Sequence, residues 1–440
     1  MARLKEYNGH YCESEYEYAF IGFLEAEGWK YSSGNNIRRI TKRDVLIADD
    51  FKKFIADTNP DLTEDEVIQI YDNVRLVGAE SDFATLHKVY GWMVNGVQFT
   101  TQDGLPRMIP LIDFDNWDKN IFRVVNQFTV EYTNNGQKEN RRPDVLLFVN
   151  GMPLCVIELK NPADANATIY DAWEQINIRY WRDIPHLLHY CPLACISDGV
   201  KTRLGTVRTP YEHFYAWRRV NEGDAVSTLP FAETETMIKG VYAPERFMEI
   251  FRDYIYFQDS IYDSDEVEII CRYPQFFAAK LLKQSIVNSV VTRSGKGGTY
   301  FGATGCGKTY TMAFLARQLA LRCTDIPEIG SPTIILIVDR DELQKQGSKL
   351  FTKSKEFLNL GEVSVVKNRT QLRQELGARQ SGGFYICTIQ KFCDRKDDKI
   401  GLINDRQNII CFSDEAHRTQ LEHSKKIQFS KDADENMKAM

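Results

Sequence analysis

The clearest pattern of hydrophobic and polar positions along the chain surrounds a short polar break in its first half. Two runs rich in aliphatic residues, 144–149 and 154–160, flank the dipeptide Asn150-Gly151. Asn-Gly readily supplies the positive φ angles of a tight turn between two strands. The pattern therefore predicts a β-hairpin whose two strands are the aliphatic runs.

The register of this hairpin decides which polar side chains meet. If Val149 lies opposite one of the first residues of the second strand, counting back along antiparallel strands brings the Asp144 carboxylate beside Glu158. Side chains alternate between the two faces of a strand, so Glu158 and Lys160 share one side. We therefore expect three charged groups to converge on one spot.

Further patterns predict the elements around the hairpin. Apolar residues at helical spacing predict helices at 15–27, 61–74, 168–181 and 245–256, and extended runs predict strands at 118–132 and 189–197. Toward the end of the chain, the pattern predicts a helix at 308–321 and short buried strands at 333–338, 384–388 and 409–413.

This succession of elements is typical of an α/β protein with a parallel sheet in its second half. The helical pattern that ends at residue 256 is the last element before the composition changes, so we place a domain boundary near residue 260. The two predicted domains are residues 1–260 and residues 261–440. With 440 residues and 43% hydrophobic content, the chain has enough material for both cores.

Composition also bears on location. The N-terminus lacks the apolar segment of a signal peptide, and the longest aliphatic run, 333–338, is far too short to cross a bilayer. Ten cysteines are scattered, and several lie in predicted buried strands, which suits reduced thiols better than a disulfide framework. We therefore expect a cytoplasmic protein with no membrane partner.

The formal net charge of −6 means that bulk electrostatics would not drive this chain onto DNA, where affinity comes largely from phosphate neutralisation. A nucleic-acid role then needs a local basic patch or a partner subunit. Lys138, Arg141 and Arg142 beside the hairpin form one such patch, in which Arg141 and Arg142 are the candidate DNA-binding residues. The alternative interpretation of the patch is a solvated hairpin edge.

The charges expected to converge at the hairpin suggest metal-dependent chemistry. Two neighbouring carboxylates repel each other, and burying them is costly unless a cation lies between them. Mg²⁺ binds one or two carboxylates together with waters and phosphate oxygens, and an adjacent ammonium can orient the attacking water. Asp144, Glu158 and Lys160 therefore predict a magnesium-dependent phosphodiesterase site. The alternative is a surface hairpin whose charged side chains are solvated.

A glycine-rich loop predicts a nucleotide-binding site. Residues 300–309 read Tyr-Phe-Gly-Ala-Thr-Gly-Cys-Gly-Lys-Thr, a complete G-x-x-x-x-G-K-[ST] motif that opens the predicted helix at 308–321. Glycines let backbone amides wrap the phosphates, while the lysine reaches phosphate oxygens and the hydroxyl can bind magnesium. The expected ATP-binding residues of this loop are Gly302, Thr304, Gly305, Cys306, Gly307, Lys308 and Thr309.

An acidic pair supplies the second half of such a site. The predicted strand at 409–413 is followed directly by Asp414 and Glu415. Open α/β sheets bind their ligands at the carboxyl ends of the strands. We expect Asp414 to hold magnesium and Glu415 to polarise the hydrolytic water, so ATP and Mg²⁺ are the predicted cofactors.

The hairpin resembles the PD-(D/E)xK nuclease family, with Asp144, Glu158 and Lys160 in its three motif positions. The resemblance implies a mixed sheet flanked by helices and an endonuclease activity. It also implies a helical carboxylate that approaches the metal, and Glu17 on the predicted helix at 15–27 is in the corresponding place.

The family usually carries Gln-x-x-x-Tyr on the helix after the lysine, and Gln175 and Tyr180 are the corresponding catalytic candidates here. The two residues are one position further apart in this chain than in the family pattern. On a regular α-helix the additional residue would turn one of the two side chains away by roughly 100°.

The nucleotide-binding half resembles the superfamily-two helicases. Residues 272–275, Arg-Tyr-Pro-Gln, are similar to the adenine-recognising Q motif, which implies that Arg272 and Gln275 contact ATP. Residues 338–346 resemble motif Ia, and residues 413–420 are similar in sequence to a motif of the same family. The resemblance implies a first RecA-like lobe. The sequence stops before a second lobe, so we expect a fragment with little ATP turnover of its own.

A nuclease domain joined to such a motor resembles the R, or motor-nuclease, subunit of type I restriction enzymes over nearly the whole chain. The resemblance implies an ATP-dependent DNA translocase and endonuclease that acts on double-stranded DNA with methyltransferase and specificity subunits. Two alternatives remain open. One is an ATP-switched DNA-binding scaffold whose nuclease hairpin is inert, and the other is a nuclease-helicase of another defence system.

Overall fold

The chain divides into two compact units, residues 1–278 and residues 279–440. The structure is a computed structural model that describes residues 13–78, 80–161, 168–226, 232–258, 267–303, 305–338, 350–359, 361–392 and 401–414. The domain boundary expected near residue 260 falls outside these described residues. Among the helices of the described residues, none combines the length and apolar character needed to span a bilayer.

A six-stranded mixed sheet forms the centre of the first unit. The strands of this unit are β1 (Lys30–Ser33), β2 (Val97–Thr100), β3 (Pro106–Ile109), β4 (Phe122–Asn126), β5 (Val130–Asn134), β6 (Gln137–Arg141), β7 (Val145–Val149), β8 (Met152–Leu159), β9 (Leu193–Ser197), β10 (Thr202–Thr206), β11 (Ile255–Phe257) and β12 (Glu268–Ile270). The sheet has the spatial order β1-β4-β7-β8-β9-β10, in which β1 and β4 run parallel, as do β8 and β9. Every residue of β7 and β8 is buried, so this hairpin is the centre of the unit.

Helices surround this sheet. They are α1 (Glu13–Ala26), α2 (Ala48–Thr58), α3 (Glu64–Arg75), α4 (Asp82–Asn95), α5 (Ile169–Glu174), α6 (Trp181–Asp183), α7 (Pro185–Leu188), α8 (Ala232–Met237), α9 (Pro244–Asp253) and α10 (Tyr273–Thr292). Two segments are π-helical, Gln175–Tyr180 between α5 and α6 and Ile238–Tyr242 after α8. Helix α1 packs against β1, β4 and β8, and α5 packs against β8 and β9, so both lie on the strands that carry the predicted site.

The strands β7 and β8 form the predicted hairpin. Val149 lies opposite Met152, and a bulge at Leu154 in β8, facing the step from Leu147 to Phe148, brings Val145 opposite Ile157. This register places the residue before Val145 at the level of the residue after Ile157. The polar ends of the two strands therefore meet at one edge of the sheet.

The turn of this hairpin is buried and hydrogen-bonded to neighbouring segments. Asn150 and Gly151 have φ angles of 50° and 76°, as expected for Asn-Gly. The buried Asn150 side chain accepts the backbone N–H of Ile121 at 2.8 Å, and the backbone N–H of Ile47 donates to the Gly151 carbonyl at 2.8 Å. A Cβ atom on Gly151 would overlap the backbone of Ile47 and Phe51. Both the positive φ and this close approach therefore require glycine.

Three expected elements differ from the structure. The strand expected at 189–197 begins only at Leu193, as β9. The strand expected at 118–132 is divided into β4 and β5, because the chain turns after β4 and then forms the hairpin β5–β6 around a second Asn-Gly turn, with φ angles of 48° and 80° at Asn135 and Gly136. The helix expected at 245–256 ends at Asp253, where the chain enters β11 and pairs with β12.

A four-stranded parallel sheet forms the centre of the second unit. Its strands are β13 (Thr333–Val338), β14 (Val363–Val365), β15 (Phe384–Thr388) and β16 (Ile409–Ser413), in the order β14-β15-β13-β16. The helices described in this unit are α11 (Lys308–Leu321), α12 (Lys355–Leu358) and α13 (Arg369–Gly377), besides the end of α10. The predicted α/β class with a parallel sheet is confirmed.

Candidate active site

Asp144 and Glu158 lie side by side at the edge of the six-stranded sheet. The backbone N–H of Asp144 donates to Glu158 Oε1 at 3.4 Å, and the backbone N–H of Leu159 donates to Asp144 Oδ2 at 2.8 Å. Asp144 is half-buried, whereas Glu158 is completely buried. The hairpin register thus brings the two carboxylates together, as the sequence predicts.

The Glu158 carboxylate is surrounded by hydrogen-bond donors. The Tyr180 hydroxyl donates to Oε1 at 2.6 Å, and Gln175 Nε2 donates to Oε2 at 2.7 Å. Burial raises the pKa of Glu158 well above its usual range, and the neighbouring charge of Asp144 raises it further. A buried carboxylate in this position is costly when ionised, so the site favours either a proton or a cation there.

Gln175 and Tyr180 reach the same carboxylate because the helix between them is a π-helix. A π-helix closes i→i+5 hydrogen bonds, so it contains about one more residue per turn than an α-helix. The wider turn absorbs the additional residue and leaves Gln175 Nε2 at 2.9 Å from the Tyr180 hydroxyl. The expectation that one of the two side chains faces away is wrong. Ile178 takes the exposed position, while Ile176 stays buried.

Lys160 is held on the same side of the sheet by Gln175. Its Nζ donates to Gln175 Oε1 at 3.0 Å, so one amide bridges the ammonium of Lys160 and the carboxylate of Glu158. The backbone N–H of Lys160 donates to the Ser197 carbonyl in β9 at 2.8 Å, which fixes the chain as it leaves β8. Asp144, Glu158, Lys160, Gln175 and Tyr180 therefore form one hydrogen-bonded group.

Glu17 approaches this group from α1. Asn126 Nδ2 donates to its Oε1 at 2.6 Å, and Gln127 Nε2 donates to its Oε2 at 3.1 Å. Asn126 lies opposite Val145, the residue after Asp144, so Glu17 is held near that carboxylate. Burial raises the pKa of Glu17, and the charge of Asp144 acts in the same direction. Gln127 has a left-handed backbone, with φ of 55°, and this turn directly follows the last residue of β4.

Asn126 and Gln127 are site residues that the sequence did not reveal. The available signal was a polar Asn-Gln pair at the end of an apolar strand, which is also what an ordinary strand end looks like. Their amides become informative only when the sheet places β4 next to β7 and brings α1 across it.

The donor set suits a hard divalent cation. Apart from the contact between the carboxyl groups of Asp144 and Glu158 themselves, Asp144 accepts one hydrogen bond from the described residues, that of Leu159, and Glu158 Oε2 accepts one, from Gln175. A cation that replaces the proton shared by the two carboxyl groups would therefore find oxygen lone pairs available on both. The described residues contain no group of three or more His, Cys, Asp and Glu side chains arranged as a metal site. Mg²⁺ does not need one, because it binds through one or two carboxylates and keeps several of its waters.

The expected basic patch is partly engaged within the protein. Lys138 pairs with Glu131 at 3.0 Å, and Arg141 pairs with Asp183 at 2.7 Å. Arg142 is exposed, and its charge offsets a small part of the rise in the pKa of Glu17. The DNA-binding roles of Arg141 and Arg142 stay predictions, and the ion pair gives Arg141 a structural role as well.

In the second unit, two glycines of the glycine-rich loop have the left-handed backbone that its motif predicts. Gly305 and Gly307 have φ angles of 79° and 83°, and Gly307 forms the N-cap of α11. Lys308 Nζ donates to the Gly302 carbonyl at 3.1 Å, so it lies over the loop that is expected to hold phosphates. Thr309 lies in the first turn of α11. Cys306 Sγ lies 3.8 Å from the Tyr300 hydroxyl, which closes the loop from one side.

Asp414 follows β16, at the carboxyl end of the parallel sheet. Its backbone N–H donates to the Ile337 carbonyl of β13 at 2.9 Å, so the residue continues the sheet by one position. The side chain therefore leaves the sheet at the edge where α/β proteins bind nucleotides. Thr304, Glu415 and the residues 339–346 expected to form motif Ia lie outside the described residues.

Arg272 and Gln275 form a local turn at the start of α10, in the first unit. The backbone N–H of Arg272 donates to Gln275 Oε1 at 2.8 Å, and the Arg272 guanidinium lies 4.7 Å from the centre of the Tyr215 ring. Gln275 is 4% exposed. The adenine-binding role of these two residues stays a prediction.

Comparison with known proteins gives two family matches. Residues 11–213 match the family described as the type I restriction enzyme R protein N terminus, and residues 274–440 match the SWI2/SNF2 ATPase family. Three relatives illustrate the similarity. The type I restriction enzyme HindI endonuclease subunit of Haemophilus influenzae is 30% identical over 440 residues, which are 95% of this chain and 40% of the relative.

A protein of Methanocaldococcus jannaschii is 30% identical over 433 residues, or 92% of this chain and 39% of the relative. The type I restriction enzyme SauCOLORF180P endonuclease subunit of Staphylococcus aureus is 26% identical over 318 residues, or 71% of this chain and 31% of the relative. The chain thus spans less than half the length of the curated relatives that it matches.

Proposed function

We propose, from the matches of residues 11–213 to the type I restriction enzyme R protein N terminus and of residues 274–440 to the SWI2/SNF2 ATPase family, that the first unit is a PD-(D/E)xK endonuclease domain that cleaves DNA with Mg²⁺. The observation that carries this proposal is the hydrogen-bonded group at the sheet edge, in which Gln175 joins Lys160 to Glu158 beside Asp144. Two carboxylates can hold the metal ion of phosphodiester cleavage, and a neighbouring ammonium can orient the attacking water and offset charge on the phosphate.

Each residue has a distinct role in this proposal. Asp144 and Glu158 hold Mg²⁺ through the oxygen lone pairs that remain available. When bound, the ion supplies charge neutralisation for the scissile phosphate and lowers the pKa of a bound water. Lys160, fixed by Gln175, orients the attacking water and offsets charge on the phosphate.

Three further residues act on the carboxylates. Tyr180 and Gln175 fix the position of Glu158 by donating to its two oxygens. Glu17 lies near enough to Asp144 to interact with its charge, and it acts as a further carboxylate for the ion or for its waters. The same hydrogen bonds keep these groups in place before the ion binds, so little reorganisation is needed.

We propose that the second unit is the first lobe of an ATP-driven DNA translocase. The loop before α11 would hold the ATP phosphates with its backbone amides and Lys308, and Asp414 would bind the associated Mg²⁺. By resemblance, the complete protein would act on double-stranded DNA together with methyltransferase and specificity subunits. The names of the relatives, which are endonuclease subunits of type I restriction enzymes, support this assignment.

Cleavage of circular unmethylated DNA by the complete subunit, mixed with its partner subunits, ATP and Mg²⁺, tests the proposal. We expect wild type and an Asp118→Ala control, which removes an exposed carboxylate elsewhere, to linearise the DNA. Asp144→Ala should not. Equal cleavage by Asp144→Ala and by the control would overturn the nuclease assignment and favour the scaffold with an inert hairpin.

A further inference from the structure

A strongly basic segment leaves the same edge of the sheet as Asp144. Residues 35–43 contain four basic residues and no acidic residue, in a chain whose net charge is −6. We call residues 37–43 the basic loop. It lies between a single 3₁₀ turn after β1 and the start of α2.

The strand register places the basic loop near the catalytic carboxylates. Ser33 at the end of β1 lies opposite Asn126 at the end of β4, and Asn126 lies opposite Val145 of β7. Asp144 directly precedes Val145. Neighbouring strands are about 4.8 Å apart, so the chain enters the segment that contains the basic loop about 10 Å from the Asp144 backbone, two strand spacings away.

Packing on the end of β4 fixes where the segment begins and how it turns. A Cβ atom on Gly34 would lie 2.7 Å from the Phe128 Cα and 2.8 Å from the Asn126 carbonyl oxygen, so the backbones touch at this point. The Arg39 guanidinium lies over the Phe128 ring, 3.8 Å from its centre. Arg39 also donates to the Asp44 carbonyl at 3.1 Å.

Two more contacts hold the second half of the loop. The backbone N–H of Glu131 in β5 donates to the Lys42 carbonyl at 3.0 Å. The Asp44 carboxylate accepts the backbone N–H of Thr41 at 2.8 Å and its hydroxyl at 3.2 Å. The loop is therefore a built structure whose backbone is fixed on both sides, and not a flexible connection.

The side chains that this backbone presents are three cations and one apolar residue. Arg38, Lys42 and Arg43 are exposed, and they form no ion pair with a carboxylate of the described residues. Ile40 lies between them and is 85% exposed. Elsewhere on this unit, exposed Lys and Arg side chains such as Lys53 and Lys239 do form ion pairs. The basic loop therefore carries net positive charge toward solvent.

We propose that the basic loop binds the backbone of double-stranded DNA beside the cleavage site. Arg38, Lys42 and Arg43 contact phosphates, and Ile40 lies against the sugars and base edges of the minor groove. Exposed cations release counterions from DNA when they neutralise phosphates, and apolar side chains flanked by cations are a recurrent means of contacting the minor groove. This inference rests on the proposed nuclease function and assigns its substrate a docking element.

The location favours DNA over another protein as the ligand. A nuclease must hold the phosphates that flank the scissile bond, and the basic loop and Arg142 both lie near the carboxylates that would cleave it. The remaining surface of an acidic chain offers DNA little attraction. The exposed cations of the basic loop, which pair with no carboxylate in the described part of the chain, supply local positive charge at the site.

Binding of a short DNA duplex to the 440-residue chain, measured by fluorescence anisotropy without ATP or divalent metal, tests the inference. The triple variant Arg38→Ala/Lys42→Ala/Arg43→Ala should bind more weakly, and the slope of log affinity against log salt should fall by about 3, one for each lost phosphate contact. Ile40→Ala should weaken binding several-fold and leave the slope unchanged. All variants should melt at the temperature of wild type, because the altered side chains are exposed.

A second triple variant controls for net charge. Lys88→Ala/Lys119→Ala/Lys239→Ala removes the same three charges from exposed positions that pair with carboxylates. The assignment of the basic loop would be overturned if the slope of log affinity against log salt fell in both triple variants or in neither. So would a loop variant that binds DNA like wild type and fails to assemble with the partner subunits, because that result identifies a protein interface. This experiment measures DNA binding and not cleavage. Its result can therefore be interpreted even if the nuclease proposal is wrong.

Discussion

Gln175 Nε2 lies 2.9 Å from the hydroxyl oxygen of Tyr180, although a regular α-helix with this spacing would separate the two side chains. The π-helical segment Gln175–Tyr180 brings them together, and both donate to Glu158. π-helical turns are rare and concentrate at functional sites. The segment therefore has a role that can be tested by changing its length.

Deleting Ile178 should convert the π-helical turn into an α-helical one and preserve the site. The deletion removes an exposed side chain and restores the Gln-x-x-x-Tyr spacing, which places both side chains on one face of a regular helix. We expect the complete subunit carrying this deletion to cleave DNA within a few-fold of the wild-type rate, in a plasmid cleavage assay with partner subunits.

The cleavage activity of the deletion variant is compared with that of Gln175→Ala. It removes the amide that joins Lys160 to Glu158 and should reduce cleavage strongly. If the deletion variant lost as much activity as Gln175→Ala while keeping its melting temperature, the π-helical turn would be required for more than the alignment of the two side chains.

The stability of the metal-free protein should fall as pH rises, because of Glu158. Burial and the charge of Asp144 raise the pKa of Glu158 in the folded state. The unfolded chain has an ordinary glutamate pKa of about 4.3. Stability from this group is complete below that value and is lost as pH rises through the folded-state pKa. The free energy of unfolding of wild type, measured by urea denaturation in chelator, should therefore decrease relative to Glu158→Gln as pH rises above about 4.3.

Adding Mg²⁺ should restore the stability of wild type at neutral pH and have little effect on Glu158→Gln, because the substitution removes a ligand charge. A parallel pH dependence of the two proteins in chelator would show that Glu158 is not the residue that titrates.

Gly151→Ala should destabilise the first unit more than Gly136→Ala does. Both glycines end Asn-Gly turns with φ near 80°, at 76° and 80°, so both substitutions force alanine into a left-handed backbone at a cost of about 1 kcal/mol. Only at Gly151 would the new Cβ overlap a neighbouring backbone, that of Ile47 and Phe51. Overpacking of this kind adds about 1 to 3 kcal/mol. Equal losses in urea denaturation would mean that the start of α2 moves freely.

Lys160→Ala should abolish DNA cleavage and leave ATP turnover of the complete, partner-bound enzyme close to wild type. Lys160 is bonded to Gln175 in the first unit, whereas Lys308 lies on the glycine-rich loop in the second. Neither unit is expected to supply ligands to the other's chemistry. Parallel assays of plasmid cleavage and phosphate release would check this, and a comparable loss of both activities would contradict it.

Lys308→Ala should weaken ATP binding by the 440-residue chain and stop DNA cleavage by the complete enzyme. The ammonium of Lys308 donates to the Gly302 carbonyl, and in the presence of ATP it would donate to phosphate oxygens. A lysine that contacts the transferred phosphate commonly contributes several kcal/mol to the transition state. Titration with a non-hydrolysable ATP analogue measures the first effect. ATP-independent cleavage by the variant at the wild-type rate would show that the two activities are uncoupled.

Much of the fold follows from local patterns. The bounds of α11, β13, β15 and β16 agree with the sequence because each is a continuous apolar run or helix with a clear glycine or polar boundary. The hairpin β7–β8 was predicted by its Asn-Gly turn and its aliphatic strands, but the sequence left two registers open. The bulge in β8, which no local pattern marks, sets the observed one, with Val145 opposite Ile157. The second Asn-Gly turn, between β5 and β6, carried the same signal. The hairpin was not predicted because its strands are largely polar and no apolar pattern marks them.

The site could be predicted only in part, because part of it depends on contacts between distant segments. Asp144, Glu158 and Lys160 share one hairpin, so spacing alone brings them together. Asn126 and Gln127 reach Glu17 only through the packing of α1 on the sheet. The π-helical turn has no sequence signature of its own. Its two ends, Gln175 and Tyr180, both donate to Glu158, and these contacts exist only in the folded unit.

The enclosed environment of Glu158 has a consequence for how the site would take up its ion. A carboxylate whose pKa is raised by burial carries a proton over a wider pH range than an exposed one. Within that range an entering Mg²⁺ would displace the proton, so uptake of the ion there would release acid to the solvent. The heat of binding would then depend on the ionisation enthalpy of the buffer, and apparent affinity would rise with pH. Occupancy of the cleavage site by Mg²⁺ would therefore depend on pH even in the absence of DNA.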